Sequence, residues 1–98
     1  MADDRQLRLD DVEESMTVEL EWSARGGPGP GDRADGEVTR VWRTDGDVRQ
    51  FTVAVGGDVD LNVYAEYRQS PVERAADDGD GDPDTETVGR LDAVRRLD

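Results

Sequence analysis

Residues Met16-Thr17-Val18-Glu19-Leu20-Glu21-Trp22 alternate apolar and polar without a miss. That period of two predicts a half-buried strand, with Met16, Val18, Leu20 and Trp22 on one face and Thr17, Glu19 and Glu21 on the other. Three runs rich in Val, Thr and aromatic residues follow, Glu37 to Thr44, Asp47 to Val55 and Val59 to Arg68. Asp45-Gly46 separates the first two and suits a type I′ turn, which needs positive φ at both central positions. Pairing Thr44 with Asp47 sets Trp42 opposite Arg49, Arg40 opposite Phe51 and Val38 opposite Val53. The second connection contains Gly56-Gly57-Asp58. A two-residue turn there would set Phe51 opposite Asn62 and Val53 opposite Asp60. A three-residue loop, with Val55 opposite Val59, sets Val53 opposite Leu61 and Phe51 opposite Val63. A slip of one residue turns every side chain to the other face, so burial selects the odd loop. One face then carries Val38, Trp42, Phe51, Val53, Val55, Val59, Leu61, Val63 and Ala65.

The remaining segments are less patterned. Arg25 to Gly36 is a loop on composition, with Gly and Pro alternating from Gly27 to Gly31. Residues 5–14, with Leu7, Leu9 and Val12, fit either an extra strand or a helical turn. After Pro71 the chain turns acidic, and Glu73 to Glu86 has hardly any apolar residue larger than Ala, which predicts a solvated linker. Val88, Leu91, Val94 and Leu97, with Thr85 or Thr87 as N-cap, predict a short amphipathic helix, interrupted by Gly89 and dependent on packing. The expected fold class is mainly β. It is a four-stranded antiparallel meander, flat or rolled into a barrel, over residues 1–70, with an acidic linker over 71–86 and a C-terminal helix over 87–98.

Composition narrows the chemistry. The 98 residues include 25 acidic and 12 basic ones, for a formal net charge of -13, and every basic residue is Arg. There is no Cys and no His. Disulfides, thiolate chemistry and the usual zinc ligand sets are therefore excluded, which leaves oxygen ligands for hard cations. Such a charge self-repels in dilute buffer, whereas at molar salt the Debye length falls to ~3 Å and the same charge is tolerated. Abundant Asp with Arg in place of Lys resembles the proteins of salt-in halophiles, notably haloarchaea. The strand Met16 to Trp22 also resembles, over those seven residues, the closing strand of the haloarchaeal amphi-Trp domain, without the helical region expected before it. No apolar run approaches the ~20 residues of a membrane span, and Met1-Ala2-Asp3-Asp4-Arg5 lacks the character of a signal peptide. The expected location is the cytoplasm, with no membrane partner.

Candidate sites are few. Ser15, Ser23 and Ser70 have neither His nor Lys to activate them, so nucleophilic catalysis is not expected. Paired carboxylates are plentiful, but no apolar setting is visible that would shift a pKa for acid–base work. Gly26 to Gly31 offers no phosphate cradle, because Pro28 and Pro30 remove two N–H donors and the P-loop Lys is missing. Asp78, Asp80, Asp82 and Asp84 alternate like calcium ligands, and the run resembles the Asp-rich repeats of thrombospondin type 3 and dockerin-like modules. The EF-hand template fails there, with Pro83 at its sixth position and Gly89 at its twelfth. Arg40, Trp42, Arg43 and Arg49 cluster on the hairpin. They suit either base stacking or a cross-strand cation–π pair between Arg49 and Trp42. Net charge opposes a phosphate backbone, and there is no basic stripe.

A sheet face this apolar needs a cover, and the chain has little with which to supply one. The expected function is thus a small acidic interaction module, not an enzyme and without cofactor. It binds itself or a protein partner through the sheet face or an edge, with Trp22, Arg40, Trp42, Arg49 and Phe51 as interaction residues. The alternatives are an acidic nucleic-acid mimic displaying Glu19, Glu21 and the Asp78–Asp84 run, and calcium binding at that run.

Overall fold

The computed structural model describes residues 6–24, 32–56, 58–68, 70–76 and 84–97. In chain order the elements are β1 (Gln6–Leu7), a 3₁₀ turn (Leu9–Asp11), β2 (Thr17–Ala24), β3 (Asp32–Thr44), β4 (Asp47–Gly56), β5 (Val59–Val63), β6 (Pro71–Ala76) and β7 (Asp84–Arg96). All neighbouring strands are antiparallel. The order β1-β7-β2-β3-β4-β5-β6 returns from β6 to β7, so β2 to β7 form a closed six-stranded barrel. β1 lies beside the far end of β7, pairing Gln6 with Arg95 and Leu7 with Val94.

The predicted centre of the meander is present. Thr44 pairs with Asp47 across the Asp45-Gly46 turn, in which both residues have positive φ (54° and 89°). Phe51 pairs with Val63 and Val53 with Leu61, as the odd loop requires. The corner differs, because Gly56 rather than Val55 faces Val59 and a bulge absorbs the difference.

Three expectations are corrected. The sheet is a closed six-stranded barrel with β1 added, not a four-stranded meander. The expected C-terminal helix is strand β7, and no α-helix occurs among the described residues. Its spacing of three has a local cause, since the register slips by one residue on either side of Leu91. β6 passes from Gly89 to Thr87, leaving Val88 over, and β2 passes from Ala93 to Leu91, leaving Asp92 over. Each bulge lengthens the apolar repeat from two to three, which reads as helical periodicity. The segments read as loop and linker are partly strand too. β3 begins at Asp32, and β6 spans Pro71 to Ala76 with only Val72 as a large inward apolar residue.

The core is built from the inward positions: Val18, Leu20 and Trp22 on β2, Val38 on β3, Val48, Phe51 and Val53 on β4, Leu61 and Val63 on β5, Val72 on β6 and Val94 on β7. A barrel of six strands is narrower than the eight-stranded kind whose interior side chains just fill, so these residues close the bore. One mouth is plugged by the segment before β2. Val12 is fully buried there. The Arg43 guanidinium fastens it, donating to the carbonyl oxygens of Asp10 (3.0 Å) and Val12. The Val48 N–H donates to the Asp10 carboxylate at 3.1 Å.

Candidate functional site

Two places on this barrel are chemically distinct from its acidic wall. The first is the outer face of the β3–β4 hairpin. Two register shifts bracket it, between Val38 and Arg40 and between Trp42 and Arg43. Between them Val41 pairs with Phe51 and takes the core-facing phase, and Trp42 is turned outward against Gln50. Trp42 retains 42% of its surface exposed. Arg40 shares its outward phase two residues away. Arg49 is the extra residue of the β4 bulge, is half-buried, and accepts the Glu66 N–H on its carbonyl oxygen.

Of the five residues expected to mediate interaction, the structure therefore brings Arg40 and Trp42 to one outer surface, with Arg49 half-buried at the adjoining bulge. It puts the other two inside, with Phe51 fully buried and Trp22 at 7% exposure. The expected facing of Trp42 and Arg49 does not occur, because the bulge puts Gln50 there instead. Arg43, placed by the sequence in the same cluster, is committed to the plug.

Beside this patch a polar row crosses the outer wall. The Thr52 hydroxyl donates to Asn62 Oδ1 (2.6 Å), the Asn62 amide donates to Glu73 Oε1 (3.2 Å), and the Tyr64 hydroxyl donates to the same oxygen (2.8 Å). Burial, reinforced by the hydrogen bond to the Glu73 carboxylate, pushes the Tyr64 pKa up to about 12. On the far wall Arg95 bridges Glu19 (3.4 Å) and Glu21 (2.8 Å). Both β2 carboxylates of the nucleic-acid-mimic reading are thus held by one guanidinium.

The second place is the unplugged mouth. A hollow of about 380 Å³ opens there, walled by Trp22, Ala34, Val55, Val59, Leu61 and Val88, with Asp32, Arg33 and Arg74 at its rim. Asp32 pairs with the inward Trp22, and Arg74 follows the inward Val72 by two residues, so both belong to the inner face. Sequence reasoning missed this site because it placed Asp32 in a loop and Arg74 in a linker. The usable signal was Val72-Glu73-Arg74, one strand repeat that continues the inward phase into a charge.

Asp78, Asp80 and Asp82 lie outside the described residues, and Asp84 opens β7 opposite Ala76. Among the described residues no group of three or more carboxylates is placed to hold a metal ion, and no helix is long and apolar enough to cross a membrane. No protein-family model matches the chain, and no curated protein or solved structure is significantly similar to it.

Proposed function

We propose that the protein is a non-enzymatic interaction module of the cytoplasm, binding a protein partner through the outer face of the β3–β4 hairpin. The single observation that carries this reading is Trp42, a large aromatic residue turned to solvent on a barrel whose core is complete without it. Exposing an indole lowers stability and solubility, while Trp and Arg are the side chains most enriched where binding energy concentrates. Arg40 and Arg49 add cations to a wall that is otherwise strongly acidic, so the complementary partner surface is acidic or aromatic. Closure supports the face over an edge. β5 and nearly all of β6 are paired on both sides, while β3 takes β2 over Asp32–Glu37 and β4 over Glu37–Thr44, and β7 takes β6 over Asp84–Arg90 and β2 over Gly89–Arg96, so strand addition finds only short open ladders. The Asp-rich, Lys-free composition supports a salt-rich cellular setting, in which apolar and stacking contacts outlast purely ionic ones.

The test is site-specific photo-crosslinking from position 50, beside Trp42, in cells or in lysate held at molar KCl. The expected result is one dominant adduct that disappears in the Trp42→Ser/Arg40→Ser double variant, with thermal stability held within about 1 kcal/mol because both side chains are exposed. An adduct of two copies of the chain would assign the surface to self-association. An adduct pattern unchanged in the double variant would refute the reading.

A further inference from the structure

We propose that the unplugged mouth of the barrel binds a small zwitterion with an apolar body, the chemistry of a hydrophobic α-amino acid. The hollow of about 380 Å³ falls at the lower end of small-molecule pockets. The bore beneath it is closed by core side chains, so a ligand sits at the mouth and does not thread the barrel. Its walls are apolar, formed by Trp22, Leu61, Val55 and Val88 among others.

The charges in the inward phase decide the ligand class, because Arg33, the third charge at the rim, alternates with Asp32 and takes the outward phase of its partner Glu21. In the closed order β2-β3-β4-β5-β6-β7, strands β3 and β6 stand on opposite sides of the ring. Asp32 on β3 and Arg74 on β6 therefore face each other across the mouth, both in the inward phase. No ion pair among the described residues engages either of them. Asp32 keeps one carboxylate oxygen on the Arg33 N–H (2.9 Å), which fixes its position at the start of β3. A simple anion would gain Arg74 but meet Asp32, and a simple cation would gain Asp32 but meet Arg74. A zwitterion satisfies both at once, with its carboxylate on the guanidinium fork and its ammonium on the Asp32 carboxylate. Its hydrocarbon part then covers Leu61 and Val88.

This site shares no residue with the Trp42 surface, so the two proposals stand or fall separately. The experiment is a methyl and indole NMR titration of the full chain with L-leucine, L-leucinamide and 4-methylpentanoate. The two analogues keep the apolar body and lose the carboxylate or the ammonium, respectively. We expect saturable shifts of the Val55, Leu61 and Val88 methyls and the Trp22 indole with L-leucine, at least tenfold weaker binding of both analogues, and a tenfold or greater loss in Arg74→Gln and in Asp32→Asn. Both positions are exposed, and unchanged shifts of the Phe51 and Val94 region would verify that the variants are folded. Absence of saturable shifts, an analogue binding as tightly as L-leucine, or unaltered affinity in either variant would overturn the proposal.

Discussion

Replacing Gly89 by alanine should reverse the sign that such a change usually has in a strand. Gly89 has an ordinary backbone conformation, so alanine would normally stabilise it by about 0.4–1 kcal/mol through a less flexible unfolded chain. Here the added Cβ would lie 2.8 Å from the Ser23 carbonyl carbon and 3.1 Å from Trp22 Cδ1, with the Ser23 carbonyl oxygen closer still. Carbon atoms sit best about 3.5–4.0 Å apart, so the contacts fall short by at least about 0.7 and 0.4 Å. Two of the obstructing atoms are backbone, which no side-chain rotation can move aside. β7 must therefore part from β2 where Gly89 faces Ala24 and Arg90 faces Ser23. Losing about two ladder hydrogen bonds at ~0.5–1.5 kcal/mol each, together with the strain of overpacking against Trp22, amounts to roughly 3–4 kcal/mol. For a domain of this size that lowers Tm by about 15–30 °C. Thermal and urea unfolding followed by near-ultraviolet circular dichroism measure it. Gly46→Ala serves as the comparison, since its Cβ meets nothing within 4 Å and only the positive φ of 89° resists it, at about 1–2 kcal/mol. A Gly89→Ala protein that melts within a few degrees of the parent, or above it, would refute the close crossing of β7 over β2.

Two further outcomes follow from named contacts. Arg43→Met should release the plug, costing about 1.5–3 kcal/mol for the charge-assisted bonds to the Asp10 and Val12 carbonyls. The urea midpoint reads this, and Arg43→Lys should recover only part of it because an ammonium lacks the fork. Tyr64 should ionise near 12 by ultraviolet titration of tyrosinate, and Glu73→Gln should bring it back toward 10.0. Because the folded value is the raised one, the associated stability is complete below pH 10 and is lost as pH rises through about 12. A folded protein in which Tyr64 titrates at its ordinary value would contradict both the burial of its hydroxyl and the Glu73 hydrogen bond.

Wherever regular alternation held, the fold was legible in the chain. Val18, Leu20 and Trp22 point inward as their period requires, and the choice of the odd loop places Phe51 on Val63 and Val53 on Leu61. Failure came at the bulges, since an inserted residue leaves no mark in composition. The bulges around Val41 exchanged Trp42 for Val41 in the core. Those at Val88 and Asp92 stretched the β7 repeat until it matched a helix. β6 escaped notice for another reason. It is short, and near the mouth its inward positions need no large apolar residue, so Arg74 and Ala76 fill the phase that Val72 begins. The hairpin patch was visible as a cluster of Arg with Trp42. The mouth was not, because Asp32 and Arg74 are 42 positions apart in the chain and only ring closure sets them face to face.

The position of β7 in the ring also governs how the molecule is made. β7 supplies both of the last seams, on β2 and on β6, and its Arg95 reaches Glu19 across 76 residues of sequence. Hairpins β3–β4 and β4–β5 can zip locally within microseconds, whereas a seam between such distant partners must await a large loop closure. Barrels rich in non-local pairing fold in milliseconds to seconds, and during that interval β2 and β6 are bare edges beside an open apolar bore. Refolding yield should therefore fall steeply with protein concentration. In dilute buffer the high net negative charge would act in that interval as well, holding unfinished sheets apart until β7 arrives.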